Sequence, residues 1–177
     1  MKGVQFTVLV LFALVAGVFW GTWVSLSRSM TTITPATFLE VGHTMIGNLG
    51  GLMSILMPAA LVSGIVLAVM LIRRGQRRSG VFAIASLILL VAALIITLAI
   101  NVPIDGQIQS WNVTTLPNNW TGIRDRWEFF HGLRTIASLA SLACVFGSTL
   151  SLDSTISAVR THQDRREQRT SSPRTAP

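Results

Sequence analysis

The sequence predicts an all-α protein: a bundle of four transmembrane helices with a structured loop between helices 3 and 4. Three observations carry this. Half of the residues are hydrophobic and only 12% are charged. The apolar residues gather in long runs, without the polar faces that recur along the helices or strands of a soluble domain. Each run reaches about 20 residues, enough to cross a hydrocarbon core of ~30 Å at ~1.5 Å per residue.

The first run, "VQFTVLVLFALVAGVFWGTWVSL", covers Val4 to Leu26. Lys2 precedes it, as in a signal peptide, but the run is too long for a signal core. Two tryptophans also stand where a cleavage site needs small residues, so an uncleaved helix is expected. The second apolar core runs from Leu52 to Ile72, with Pro58 expected to kink it. Upstream, Thr34 and Pro35 have helix-start chemistry, so this helix begins near Pro35 or breaks at Gly50-Gly51. The third runs from Val81 to Ile100, with Pro103 expected to stop it, and the fourth from Trp127 or Leu133 to Leu152. Residues 1–158 thus form one membrane domain, and the polar stretch 159–177 is expected to be a disordered basic cytoplasmic tail.

Orientation follows from the basic residues. Lys2, the four arginines of "RRGQRR" and five more in the tail share one side, while Arg28, Arg124, Arg126 and Arg134 fall on the other. Positive charge stays inside, which puts both termini in the cytoplasm, with the plasma (inner) membrane as the expected location. The same placement explains the net charge of +7 without nucleic acid. The single cysteine, Cys144, rules out an intrachain disulfide framework and reads as a packing residue. Gly17 with Gly21, and Gly47 with Gly51, form small-xxx-small patterns that predict close helix approach. Met45, Met53 and Met57 read as packing.

The non-cytoplasmic side collects the chemistry. Trp20 and Trp23 fit an aromatic belt. Trp111, Trp120 and Trp127 fall in a connection too long for a mere link. Its Asn112 and Asn119 sequons matter only in a secretory eukaryotic setting. Two Glu-x-x-His motifs, Glu40 with His43 and Glu128 with His131, each put a carboxylate and an imidazole on one helix face. Paired motifs of this kind serve dinuclear metal sites in helix bundles, which also need carboxylates from the other helices. Asp105 is one candidate, and the first helix offers none. The bland alternative is a set of hydrogen-bonded interfacial groups. At about 100° per residue, Arg124, Glu128, His131, Thr135 and Ser138 share a stripe, with Arg134 at its edge. Such a stripe in an apolar helix faces the bundle interior, where ionisable groups are functional candidates. An imidazole beside a carboxylate and a guanidinium can take a proton and steady an anion; the same groups can equally be a salt-bridge cluster fixing the loop.

The stretch "NVPIDGQIQSWNVTTLPNNWTGIRDRWEFFHGLRT", residues 101–135, resembles the signature of the anthrone oxygenase-like family, small four-helix integral membrane proteins often grouped under a domain of unknown function. The matching positions are Asn101, Pro103, Ile104, Ile108, Trp111, Pro117, Trp120, Arg124, Trp127, His131 and Arg134. Asp105 departs from the pattern, which usually has Asn there. The resemblance implies a four-helix membrane domain and, for some fungal polyketide-pathway members, oxidation of an anthrone to an anthraquinone by O₂. On that chemistry His131 would be the base and Arg134 or Arg124 would steady the enolate oxygen. Asn101 and Glu128 would orient these groups, and Trp111, Trp120 and Trp127, with Asp105, would bind the flat substrate.

The expected function is therefore that of a membrane-embedded oxidoreductase or oxygenase-like protein, acting on a small hydrophobic substrate at the non-cytoplasmic helix ends. It would need either no cofactor or a transition metal (iron, copper or manganese) held by Glu40, His43, Glu128 and His131. Expected partners are the lipid bilayer and the substrate, with a homo-oligomer left open and no nucleic acid. The alternative is a non-enzymatic membrane scaffold or accessory subunit that binds a partner or lipid through the helix 3–4 loop.

Overall fold

A computed structural model describes residues 2–26, 29 and 32–171, with 152–171 described by backbone alone. The described residues are helical, without strands. Helix α1 spans Lys2–Leu26, α2 spans Pro35–Arg73 and α3 spans Arg77–Ile96. A π-helical turn, Thr97–Asn101, joins α3 to α4, Val102–Ser110, and α5 begins at Trp120 and runs to Ser171. Among the described residues four helical stretches are long and apolar enough to cross a membrane, α3 through α4 counting as one. The chain is therefore an integral membrane protein in its fold class. The expected tail enters as the helical backbone of α5 up to Ser171; residues 172–177 lie outside the described residues.

Helix α2 begins where Thr34 and Pro35 predict. Thr34 Oγ1 accepts the Thr37 N–H at 3.3 Å, and Pro35 occupies the first turn, where its missing N–H costs nothing. The helix runs unbroken through Gly50-Gly51 and Pro58. It ends at the basic turn on Gly75, whose φ of 70° is the left-handed conformation that terminates helices. Pro103 does not stop the third span, contrary to the sequence expectation. The π turn absorbs it: the Val102 N–H reaches back to the Thr97 carbonyl, and Pro103 falls in the first turn of α4, where no N–H is needed. The long connection consequently shrinks to Trp111–Asn119. Asn112 organises it, with Oδ1 accepting from the backbone N–H groups of Thr114 and Thr115, both at 2.9 Å.

The helices form a ring in which α1 packs on α2, α2 on α3, α3 on α5 and α5 on α1. Small residues bring α5 onto α3: Ser141 donates to the Ser86 carbonyl at 2.6 Å and Ser148 to the Ser79 carbonyl at 3.0 Å. The expected close approaches at Gly17, Gly21, Gly47 and Gly51 are not formed; a Cβ at any of them would meet open space. Among the described glycines the tightest approach is at Gly64, where a Cβ would stand 2.8 Å from Leu87 and 3.1 Å from Phe12. Two apolar cores result. One fills the half of the bundle nearer the α2–α3 turn, around Phe12, Leu67, Leu71 and Leu90. The other caps the opposite end, around Phe38, Ile104, Ile108 and Trp127.

Candidate functional site

Between the two cores lies a cavity of about 420 Å³. All four spans wall it, and most of its lining is apolar. Met45, Met53 and Met57 of α2, read as packing from the sequence, supply much of that wall. Their flexible thioethers suit an irregular apolar ligand. The polar wall comes from Thr22, Thr97, Asp105, His131 and Arg134, with the ring of Trp127 among them.

Arg134 is only 8% exposed, at a depth where an unpaired charge is costly. Its Nε and Nη2 donate to His131 Nδ1 at 3.2 and 2.6 Å, and its Nη1 donates to Thr97 Oγ1 at 3.3 Å. The face of Phe19 lies 4.7 Å from the guanidinium carbon. A guanidinium has five N–H donors; three are used here, leaving two. No carboxylate forms an ion pair with Arg134 among the described residues, although Asp105 lines the same cavity.

The hydrogen bonds assign the His131 tautomer. A guanidinium only donates, so Nδ1 is the acceptor and Nε2 carries the proton. Nε2–H then points to Thr22 Oγ1 at 3.0 Å. The Thr22 hydroxyl proton is in turn committed to the backbone, at 2.8 Å from the Val18 carbonyl. Both ring nitrogens of His131 are thus engaged. Its ring stacks on Trp127 at 5.3 Å and 15°, and Trp127 Nε1 donates to Asp105 Oδ1 at 2.7 Å.

Of the residues the sequence singles out, the fold gathers Asp105, Trp127, His131 and Arg134 at the cavity. The others lie elsewhere, for identifiable reasons. Arg124 is turned toward the capping end, where it pairs with Asp125 at 2.7 Å and sits 5.2 Å over the ring of Trp120. Trp120 packs on Phe38 at 5.3 Å, and Trp111 also packs against the capping core, so neither walls the cavity. Asn101 is fully buried; its Nδ2 donates to the Trp127 carbonyl at 3.2 Å and its Oδ1 has no partner. It pins the π turn to α5 rather than facing the cavity. Glu128 lies on another face of α5, in a groove with Trp23, Phe129 and Leu133, and its Oε1 is buried without a partner.

The two Glu-x-x-His motifs do not converge on one centre. His43 Nε2–H donates to the Ile108 carbonyl at 2.8 Å, and Gln109 returns a bond to the His43 carbonyl at 3.0 Å. This motif clips α2 to α4, while Glu40 is exposed. Among the described residues no three of His, Cys, Asp and Glu stand close enough to share a metal ion. Sequence reasoning missed Thr22, Thr97 and Phe19. Nothing in their own helices marks them; they matter only because the fold brings them to Arg134 and His131.

Among known families, the family model described as anthrone oxygenase matches residues 50–144 of the 177. That stretch includes every residue of the polar wall except Thr22. No curated protein and no solved structure matches the chain.

Proposed function

Because this chain belongs to the anthrone oxygenase family, we propose that its cavity holds a flat lipophilic carbon acid, an anthrone or a close analogue, and promotes its oxidation by O₂. The observation that carries this reading is Arg134: a buried guanidinium facing an apolar cavity, braced by His131 and Thr97, with two N–H groups unspent. Such a group favours an oxygen that gains negative charge during reaction. When the methylene carbon opposite the carbonyl loses a proton, that charge appears on the carbonyl oxygen, within reach of the guanidinium. The electron-rich carbon then gives electrons to O₂, a C–O bond forms, and a hydroperoxide results. Loss of water breaks the O–O bond and removes the second methylene hydrogen. The balance is one anthrone and one O₂ to one anthraquinone and one water.

His131 holds Arg134 in place, and Trp127 lines the cavity beside Asp105. In this reading the positive-inside pattern puts the cavity in the non-cytoplasmic half of the plasma (inner) membrane. The substrate and the bilayer are the partners. The test is direct: membranes carrying the full chain are given an anthrone in air, and O₂ uptake and quinone are measured. Equal amounts of O₂ consumed and quinone formed are expected, and Arg134→Gln should lower the rate by about 10²-fold. Quinone formation no faster than in membranes lacking the chain would end the proposal.

A further inference from the structure

The geometry points to Asp105, rather than His131, as the group that takes the substrate's proton, with His131 a positioning residue for Arg134. This rests on the carbon-acid oxidation proposed above. Three titratable side chains line the cavity: Asp105, His131 and Arg134. Arg134 has no lone pair to offer. His131 offers none either, since its Nδ1 lone pair receives two N–H groups of Arg134 and its Nε2 bears the proton directed at Thr22. To act as a base His131 would first have to release Arg134, the group that steadies the anion being made. Asp105 differs. Its Oδ1 accepts the Trp127 indole N–H, which fixes the carboxylate, and its Oδ2 makes no hydrogen bond to the protein. A carboxylate anchored through one oxygen and open at the other is the arrangement a general base needs.

The two roles are then divided between two helices. Asp105, on α4, takes the C–H proton onto Oδ2 and returns it to the peroxide oxygen once O₂ has added, while the electron pair left on carbon delocalises meanwhile onto the carbonyl oxygen near Arg134, on α5. An Asn would fill the same space and still accept the Trp127 N–H, but it cannot take a proton. The substitution Asp105→Asn therefore isolates the base from its structural duties.

Proton removal can be read without oxygenation. Membranes carrying the full chain are incubated with an anthrone in D₂O without O₂, and deuterium at the methylene carbon is followed by mass spectrometry. The wild-type chain should exchange faster than membranes lacking it, and Asp105→Asn should lower that gain by about 10²-fold or more. Asp105→Ser with added formate tests the point by a second route: exchange restored by formate identifies the missing group as a carboxylate. Exchange by Asp105→Asn at the wild-type rate would overturn the assignment while leaving the oxidation reading intact. A wild-type chain that neither exchanges nor oxidises the substrate would overturn both.

Discussion

Arg134 and His131 form one unit, and a substitution at either acts on both. His131 Nδ1 is the acceptor for two of the three guanidinium hydrogen bonds. Removing it frees a long side chain whose position is the point of the site. Misplacement by about 1 Å can cost about 10²-fold in rate, so His131→Ala should lower kcat by that order while leaving the purified chain helical by circular dichroism. His131→Gln retains an acceptor for Arg134 and a donor for Thr22, and should recover a substantial part of the loss. If His131 were the base, Gln would recover nothing, so the comparison of the two kcat values separates the roles. Both residues were legible in the sequence as polar groups in an apolar helix. Their neighbours were assigned less well. The stripe through Arg124, Glu128 and His131 was centred on the charged residues, whereas the cavity face runs through Trp127, His131 and Arg134. A tryptophan counts as apolar in such a stripe, so polar periodicity alone does not mark the face that lines the cavity.

The π turn and α2 decide how the cavity is shaped. Pro103 reads as a helix stop because a proline lacks the N–H that a helix interior needs. Here the widened turn places it where no N–H is required, and the helix continues to Ser110, bringing Asp105 to the cavity. Sequence alone does not signal this, since whether a proline ends or bends a helix depends on what packs around it. The helix start at Thr34-Pro35 was legible because capping is local chemistry. The helix-packing glycines were not, because a small-xxx-small pattern says nothing of which face meets a neighbour. Two substitutions in α2 test the difference. At Gly64 a larger residue meets Leu87 and Phe12, so Gly64→Val should destabilise the bundle by about 1–3 kcal/mol, seen as a lower Tm in detergent. At Gly50, which lines the cavity and whose Cβ would meet open space, Gly50→Leu should leave the Tm within a few degrees. It should raise KM for the anthrone severalfold, because the new side chain occupies ligand volume.

At the scale of the whole molecule, the cavity's position bears on how a substrate arrives. Four spans bring both termini to one side. The cavity lies toward the other side, beneath the capping core of Phe38, Ile104, Ile108 and Trp127. That core stands between the cavity and that end of the bundle. Along the cavity's flank, between α2 and the α3–α4 span, stand Gly50, Ser54, Pro58, Leu98 and Val102, all exposed on the outer surface of the bundle. Leu98 is 58% and Val102 48% exposed, and in a bilayer such apolar side chains face acyl chains. In the proposed reading, a lipophilic molecule dissolved in the membrane meets this seam before it meets Asp105, His131 or Arg134. The rate should follow the substrate's concentration within the lipid and not its total in the suspension. With chain and anthrone amounts fixed in proteoliposomes, increasing the lipid several-fold should lower turnover in proportion while the rate is below saturation, since the same substrate is spread through more bilayer. A cavity fed from water through the capping end would respond instead to the free aqueous anthrone. At partition equilibrium these two concentrations fall together, so the routes separate on a substitution at the seam. Leu98→Trp, which enlarges a residue at the seam without touching Arg134, Asp105 or His131, should slow substrate entry at low concentration and leave the saturated rate unchanged.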